Sequence, residues 1–419
     1  MKKKFKQRAN SKANLMSLWQ AIIYLLAAFP ILPRGIQSSL IIILMLLSIA
    51  LKKDWNASKS ELVKIFAFSS IFLVYAASLI YSDNINTALM LLLRVSPFIV
   101  FAIIFGLLSK RLLNNKTVQT SFMIFVIALF IKLVYIKVIL FNYFKNKPVT
   151  SWRYRQEFES LTDIHGTYFS LWIGFAVLFL VNQVVVLLEN KKFILASAFG
   201  SITAYFFYWL LILEARLPLI STVLLCIVLI IIKIKSIKLF VITSIAFLSI
   251  IAMSLAVNPN QFNKTKEIFK YNFGLPEGDY NYNFESISSQ QIRNGIYLCS
   301  YYLIKDSWLL GYGVGDIDKE LQRCYKEKIE SNVYQMFPYN SHNQYLQVWL
   351  ASGVFGLSLF VCSLVYLLHV ALKRHSPLLL ALLLLVFLCM LTENIFSRHD
   401  GVLLYTFFCS MLFFRDYYD

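Results

Sequence analysis

Long apolar runs separated by short polar segments recur along almost the whole chain. An apolar run of about 18 residues or more is long enough to cross a bilayer as a helix. The pattern therefore predicts an all-α, polytopic membrane protein with about twelve membrane-spanning helices. The predicted spans are 16–33, 36–51, 63–81, 88–108, 120–141, 165–188, 193–213, 217–232, 239–256, 343–370, 376–392 and 400–414.

One polar stretch, residues 257–341, is much longer than the other connections. It divides the chain into residues 1–256 with nine predicted spans, the loop itself, and residues 342–419 with three spans. Inside the loop, apolar residues at helical spacing predict a helix over 292–310, lying at the membrane surface. Long ordered loops in compact proteins are usually functional, so we expect the chemistry on this side of the membrane.

The composition and the distribution of charge agree with this topology. The chain is 58% hydrophobic and 15% charged, which excludes a soluble globular fold, and its formal net charge is +18. With the N-terminus in the cytoplasm, the cytoplasmic segments hold 21 of the 40 Lys and Arg but 5 of the 22 Asp and Glu. This positive-inside bias places both termini in the cytoplasm and the long loop outside. We expect the first span to remain uncleaved. The charge pattern lacks the basic stripe of a protein that binds nucleic acid, so we expect no such partner.

Several polar residues at the outer ends of predicted spans are candidates for chemistry. His342 opens the tenth span, titrates near neutral pH and heads a helix that could hold an anion, although it could equally be a simple cap. Arg216, in a short outer connection, could bind a phosphate or extend to lipid headgroups. Arg293 begins the loop helix, where a solvated surface charge is the alternative. His165 and Glu393 could line the same cavity.

Three further features remain open at this level. The basic residues Arg94, Lys132 and Lys137 lie inside predicted spans, where charge is costly and often functional. Cys299 and Cys324 both lie in the outer loop, so a disulfide between them is a hypothesis. The chain has no H-E-x-x-H and no C-x-x-C motif, and we predict no metal site.

The residues that follow His342 form a recognisable pattern. His342-Asn343, nine residues, then Gly353 and Gly356 resemble the H-[NSQ]-x9-G-x-x-G signature of the bacterial O-antigen ligase and O-antigen polymerase superfamily. Three further pieces resemble that superfamily in the same order, and together they extend the resemblance over roughly residues 165–410. They are Arg216 before the eighth span, an Arg-led helix from Arg293 to the G-x-G-x-G at 311–315, and Glu393 followed by Gly401. One departure is Ala215, which stands where the family often has Ser or Thr.

The resemblance implies an integral GT-C-type glycosyltransferase that needs no nucleotide, metal or other cofactor. It would transfer a glycan from undecaprenyl diphosphate to an acceptor on the periplasmic face. His342 would act as general base on the acceptor hydroxyl, while Arg216 and Arg293 would hold the diphosphate as it leaves. Asn343 and Glu393 would contact substrate, or Glu393 would orient His342.

We therefore expect an O-antigen ligase of the bacterial inner membrane that joins the lipid-linked glycan to lipid A–core in lipopolysaccharide biosynthesis. A polymerase is the alternative within the family, since it uses the same donor with a second lipid-linked glycan as acceptor, and a protein acceptor is a third possibility. A transporter of lipid-linked sugars is the competing class. It explains the spans and the intramembrane cations, but it does not explain the His-Asn-x9-Gly signature.

Overall fold

The computed structural model describes residues 2–51, 58–107, 112–145, 150–234, 273–280 and 287–415, with the single positions 55, 147, 241, 245 and 249. Over these residues the chain is helical, and its β-pairing is limited to an isolated bridge between Gly278 and Ser331. The predicted all-α class is confirmed for this part of the chain.

The helices follow one another with short connections through most of the chain. They are α1 Lys2–Ala27, α2 Arg34–Ala50, α3 Lys59–Phe68, α4 Ser70–Ser78, α5 Ile85–Val95, α6 Pro97–Leu107, α7 Asn115–Phe144, α8 Ser151–Thr162, α9 Gly166–Glu189, α10 Phe193–Ile212, α11 Arg216–Lys233, α12 Ser289–Asp306, α13 Ile317–Lys328, α14 Val333–Met336, α15 Gln344–Lys373, α16 Pro377–Cys389 and α17 His399–Phe414.

Six helical segments are long and apolar enough to cross a membrane among the residues described, with α5 and α6 together counted as one. A seventh is added if α3 and α4 with its 3-10 extension, which meet at a bend of 63°, form one broken span. The helices α2, α16 and α17 are apolar but shorter. The chain is thus a multi-pass membrane protein, while the number twelve remains a prediction. The predicted span 239–256 lies almost entirely outside the described residues.

Two helices form the interior of the bundle. Every residue of α9 from Gly166 to Asn182 is buried, and so is every residue of α17 from Asp400 to Phe414. A helix that is apolar on all sides is covered either by lipid or by other helices, and here other helices cover both. The N-terminal ends of α9 and α17 lie at the same end of the bundle as the beginning of α15, and they position the polar residues described below.

The described part of the long polar segment, residues 257–341, contains α12, α13 and α14, and its location outside the membrane remains a prediction. Its first helix begins at Ser289 and ends at Asp306, four residues before the predicted end, because Ser307 leaves the helical conformation with φ −135°. A capping box between Ser288 and Gln291 fixes the start of α12. The disulfide that the sequence left open is present, and Cys299–Cys324 links α12 to α13.

The glycines of the two sequence motifs meet in one contact. Helix α15 is interrupted at Gly353, whose φ is +61° and ψ −165°. At this break the Tyr312 amide donates to the Leu350 carbonyl over 2.8 Å, and the Val354 amide donates to Trp308 over 2.9 Å. A Cβ atom on Gly311 or Gly353 would collide with the backbone of the facing segment. The glycines therefore allow the backbone of the outer loop to touch the backbone of α15.

Candidate functional site

His342 occupies an unusual backbone position immediately before α15. Its φ is +43°, in the left-handed region that non-glycine residues adopt only when the surroundings enforce it. The Asn340 side chain accepts a hydrogen bond from the His342 amide over 3.0 Å. On the other side, Asn343 Oδ1 accepts from the amides of Tyr345 and Leu346 and so caps α15. These contacts fix the backbone on both sides of His342.

The His342 ring faces the carboxylate of Glu393, which lies just beyond the end of α16. The Nδ1 atom of His342 is 3.5 Å from Glu393 Oε1, and Nη2 of Arg293 on α12 is 3.9 Å from the same oxygen. Glu393 is 8% exposed. Three separate elements, α12, the start of α15 and the end of α16, thus bring together His342, Glu393 and Arg293 of the five predicted site residues.

Electrostatics keep Glu393 ionised in this position. Burial alone raises the pKa of a carboxyl group, because the charged form loses hydration. At Glu393 the neighbouring His342, together with the charges of His165 and Arg293, outweighs burial, and the pKa lies below its ordinary value. The carboxylate is therefore negative near neutral pH and can hold the His342 tautomer that carries its proton on Nδ1.

A buried polar network fixes the two loops that carry His342 and Glu393. Ser341 Oγ donates to Gln347 Oε1 over 2.7 Å, and Asn394 Nδ2 donates to Ser341 Oγ over 3.0 Å. Gln344 Nε2 donates to the Tyr75 hydroxyl, and Gln344 Oε1 accepts from the Phe396 amide over 2.8 Å. Buried polar groups that satisfy one another restrict the structure to one arrangement.

A second charged cluster adjoins the first and involves α8. Arg155 Nε donates to Glu159 Oε1 over 3.0 Å, and Arg155 Nη2 lies 3.2 Å from His165 Nε2. Because a guanidinium can only donate, His165 Nε2 is the acceptor. Burial lowers the pKa of His165, with the charge of Glu159 opposing it and that of Arg155 supporting it. Glu393 acts on the pKa of His165 as well, so the two clusters are electrostatic neighbours.

The other predicted residues have their own positions and contacts. Arg216 is the first residue of α11 and is exposed. Asn343 uses both ends of its amide on the protein, since Nδ2 donates to the Leu391 carbonyl, so a contact with substrate stays a prediction. Lys132 lies over aromatic rings of α9, while Lys137 donates to the Tyr208 hydroxyl over 2.7 Å. Arg94 donates to the Ser397 carbonyl.

The sequence reasoning did not single out Glu159 or Asn394. The i, i+4 spacing of Arg155 and Glu159 is a signal that could have indicated their ion pair. Asn394 offered no such signal, because its role comes from a contact with Ser341 across 53 residues.

No metal centre is evident in the described part of the chain. Asp316 and Asp318 are spaced as a D-x-D pair, but the Asp316 carboxylate accepts from the amides of Asp83 and Asn84 at the start of α5. The described residues contain no group of three or more His, Cys, Asp or Glu side chains arranged to hold an ion.

Residues 201–361 match the family model described as O-antigen ligase. Over this segment the chain is similar to the O-antigen ligase family. The resemblance to the O-antigen ligase and polymerase superfamily is thereby confirmed. The matched segment of the chain includes Arg216, Arg293 and the signature from His342 to Gly356, whereas Glu393 lies beyond it. No curated protein is significantly similar to the chain.

Proposed function

We propose that this protein is an O-antigen ligase-type glycosyltransferase. It moves a glycan from undecaprenyl diphosphate to lipid A–core on the periplasmic face of the bacterial inner membrane. The observation that carries the proposal is that His342 and Arg293 both contact the carboxylate of Glu393 at one end of the helical bundle. The family match over residues 201–361 supports the reaction class, and the spanning helices support a lipid-linked donor.

In this proposal His342 is the general base. Glu393 faces Nδ1, so the proton of a neutral ring resides there and Nε2 is left to accept one. Nε2 takes the proton of the acceptor hydroxyl as its oxygen bonds to the anomeric carbon of the donor sugar. The bond from that carbon to the diphosphate oxygen breaks, and its electron pair leaves with the diphosphate. Glu393 stabilises the imidazolium that forms.

Arg293 is placed to stabilise the leaving diphosphate. Its side chain is 41% exposed, and its 3.9 Å contact with Glu393 leaves guanidinium donors available to a ligand. A guanidinium fork matches the geometry of phosphate oxygens and is always charged. Arg216 is assigned to the same task by its place in the family pattern. Asn343, next to the base, is proposed as a further substrate contact.

The test is a reconstitution of the purified protein with undecaprenyl-diphosphate glycan and lipid A–core, without nucleotide and in the presence of EDTA. We expect modified lipid A–core to appear as a shifted band on a gel and to be absent with His342→Ala. The matched control is His369→Ala, an exposed histidine on the same helix at the opposite end, which should retain activity.

Other outcomes identify other functions. Lengthening of the lipid-linked glycan without modification of the core would make the protein a polymerase. An unconsumed donor that changes leaflet, with equal rates for His342→Ala and wild type, would make it a transporter and remove the role of His342 as base.

A further inference from the structure

The segment between α16 and α17 runs from Glu393 to Asp400 and is bonded to the rest of the fold along most of its length. These bonds join Asn394 to Ser341, Phe396 to Gln344, Ser397 to Arg94, His399 to Gln37 and Asp400 to Arg34. Because polar groups that satisfy one another restrict a segment to one arrangement, the position of each side chain in it is fixed by the fold.

Arg398 is the exception in this segment. Its side chain is exposed, and it forms no ion pair with a carboxylate in the part of the chain that the structure describes. Its Cζ atom lies 5.6 Å from the centre of the Tyr168 ring on α9. The Tyr168 hydroxyl donates to the Asn394 carbonyl over 2.9 Å, so the ring below Arg398 is fixed to the same segment. A ring face attracts the guanidinium charge but leaves most of its N–H donors available to a ligand.

Arg398 lies at the end of the bundle that holds His342. The Tyr168 ring beneath it is 6.3 Å from the ring of His165, measured between their centres. The charges of Arg398 and of Glu393 both act on the pKa of His165. Arg398 therefore adjoins the candidate site on the side formed by α9 and α17.

The charges of the arginines at this end are balanced unequally. Arg155 Nε is 3.0 Å from Glu159 Oε1, and Arg293 Nη2 is 3.9 Å from Glu393 Oε1. Arg398 adds a further positive charge without a contacting carboxylate among the described residues. An uncompensated positive charge attracts anions from several Å away, so this surface favours an anionic ligand.

We propose that Arg398 is a further phosphate-binding residue of the site, in addition to Arg216 and Arg293. The inference rests on the proposed transfer reaction and extends it to a residue outside the segment that matches the family. The phosphate belongs either to the diphosphate of the lipid-linked donor or to the phosphorylated sugars of lipid A–core. The planar fork of a guanidinium matches the oxygens of both.

The experiment measures ligand binding by the full-length protein in a neutral detergent, together with the KM values for donor and acceptor in reconstituted transfer. Binding is followed as the rise in Tm during titration with undecaprenyl diphosphate, with lipid A–core, or with lipid A–core from which the phosphates have been removed. The variants are Arg398→Gln and Arg398→Lys. The matched control is Arg153→Gln, an exposed arginine of α8 at the same end of the bundle.

We expect Arg398→Gln to weaken the binding of one ligand about tenfold and to raise the corresponding KM by the same factor, because a charge-assisted hydrogen bond is lost. Arg398→Lys should recover part of this loss, since an ammonium group keeps the charge but not the fork. A weaker response to undecaprenyl diphosphate assigns the phosphate to the donor, and a weaker response to lipid A–core assigns it to the acceptor. Tm without ligand should stay near that of wild type, because Arg398 is exposed.

Three results would overturn the inference. The first is ligand binding and KM values in Arg398→Gln that equal those in Arg153→Gln, and active transfer by both variants would then leave the proposed function in place. The second is a lower Tm without ligand and unchanged binding, which would make Arg398 a structural residue only. The third is an equal loss with phosphate-free lipid A–core. A wild-type protein that transfers no glycan would instead refute the proposed function, while the titrations would still decide whether Arg398 binds phosphate.

Discussion

Replacing Glu393 by Gln tests the arrangement around His342 most directly. Gln has nearly the same shape as Glu, so the change removes the charge and leaves the packing in place. In the proposed reaction His342 becomes positively charged in the transition state, with Nδ1 3.5 Å from the carboxylate oxygen. At that distance two full charges attract by ~5 kcal/mol at an effective dielectric constant of ~20.

The loss should be smaller than this limit. The proton is only partly transferred in the transition state, and the 3.5 Å contact is longer than a well-formed hydrogen bond. About half of the limit, ~2.5 kcal/mol, corresponds to a fall in kcat of roughly 50- to 100-fold. We expect KM for the lipid-linked donor to change much less, because the carboxylate acts on His342 and not on bound donor.

The assay is single-turnover glycan transfer in the reconstituted system. Glu159→Gln is the matched control, since it removes a carboxylate from the neighbouring cluster while leaving the contact between Glu393 and His342 in place. In His342→Ala, the further change Glu393→Gln should have little effect, because residues that act as a unit are not additive. A kcat of Glu393→Gln within threefold of wild type, alongside an inactive His342→Ala, would refute the idea that Glu393 supports the base.

Three further predictions concern stability. Gly353→Ala should lower the free energy of unfolding by at least ~2 kcal/mol, because φ of Gly353 is positive and a Cβ atom would collide with the facing backbone. The control Gly200→Ala has open space at its Cβ atom and should leave the free energy of unfolding nearly unchanged. Thermal or denaturant unfolding measures both. Cys324→Ser should cost up to roughly 3 kcal/mol by opening a loop of 25 residues. Alkylation of the unfolded protein without reductant should then label one more thiol than in wild type and two more than in the control Cys362→Ser, whereas equal labelling of the two variants would show that the bridge is absent. The pKa of Glu393 is lowered in the folded protein, so its ionised carboxylate stabilises the fold above its unfolded pKa near 4.5. This stabilisation is lost as pH falls through the folded pKa. A pH titration of Tm should show the loss in wild type and not in Glu393→Gln.

Much of the helical architecture could be predicted from the sequence, because apolar periodicity over a long segment determines both the type of element and its extent. The predicted spans 193–213 and 217–232 correspond closely to α10 and α11. Helix boundaries in the outer loop were harder to predict. The end of α12 depends on the conformation of Ser307 and on the docking of Gly311 against α15, and neither is a local property of the sequence.

Part of the site could also be predicted from the sequence. His342 and Arg293 occupy motif positions, and a motif can be recognised without knowing which residues are in contact. The partnership between Glu393 and His342 joins residues 51 positions apart, and it depends on how the start of α15 meets the end of α16. The glycine motifs had no assigned purpose in the sequence, whereas in the structure they remove side chains where two backbones must touch.

The interruption of α15 at Gly353 also bears on how the protein responds to the thickness of its membrane. The 20 residues from Val354 to Lys373 form a helix of ~30 Å, which matches a typical hydrocarbon core. The preceding turns, from Gln344 to Ser352, are tied to the outer loop and to the end of α16. Hydrophobic mismatch can then be absorbed by tilting of the segment after Gly353 alone. Because the turns before Gly353 keep their contacts, we expect the geometry around His342 to persist in bilayers with shorter or longer acyl chains.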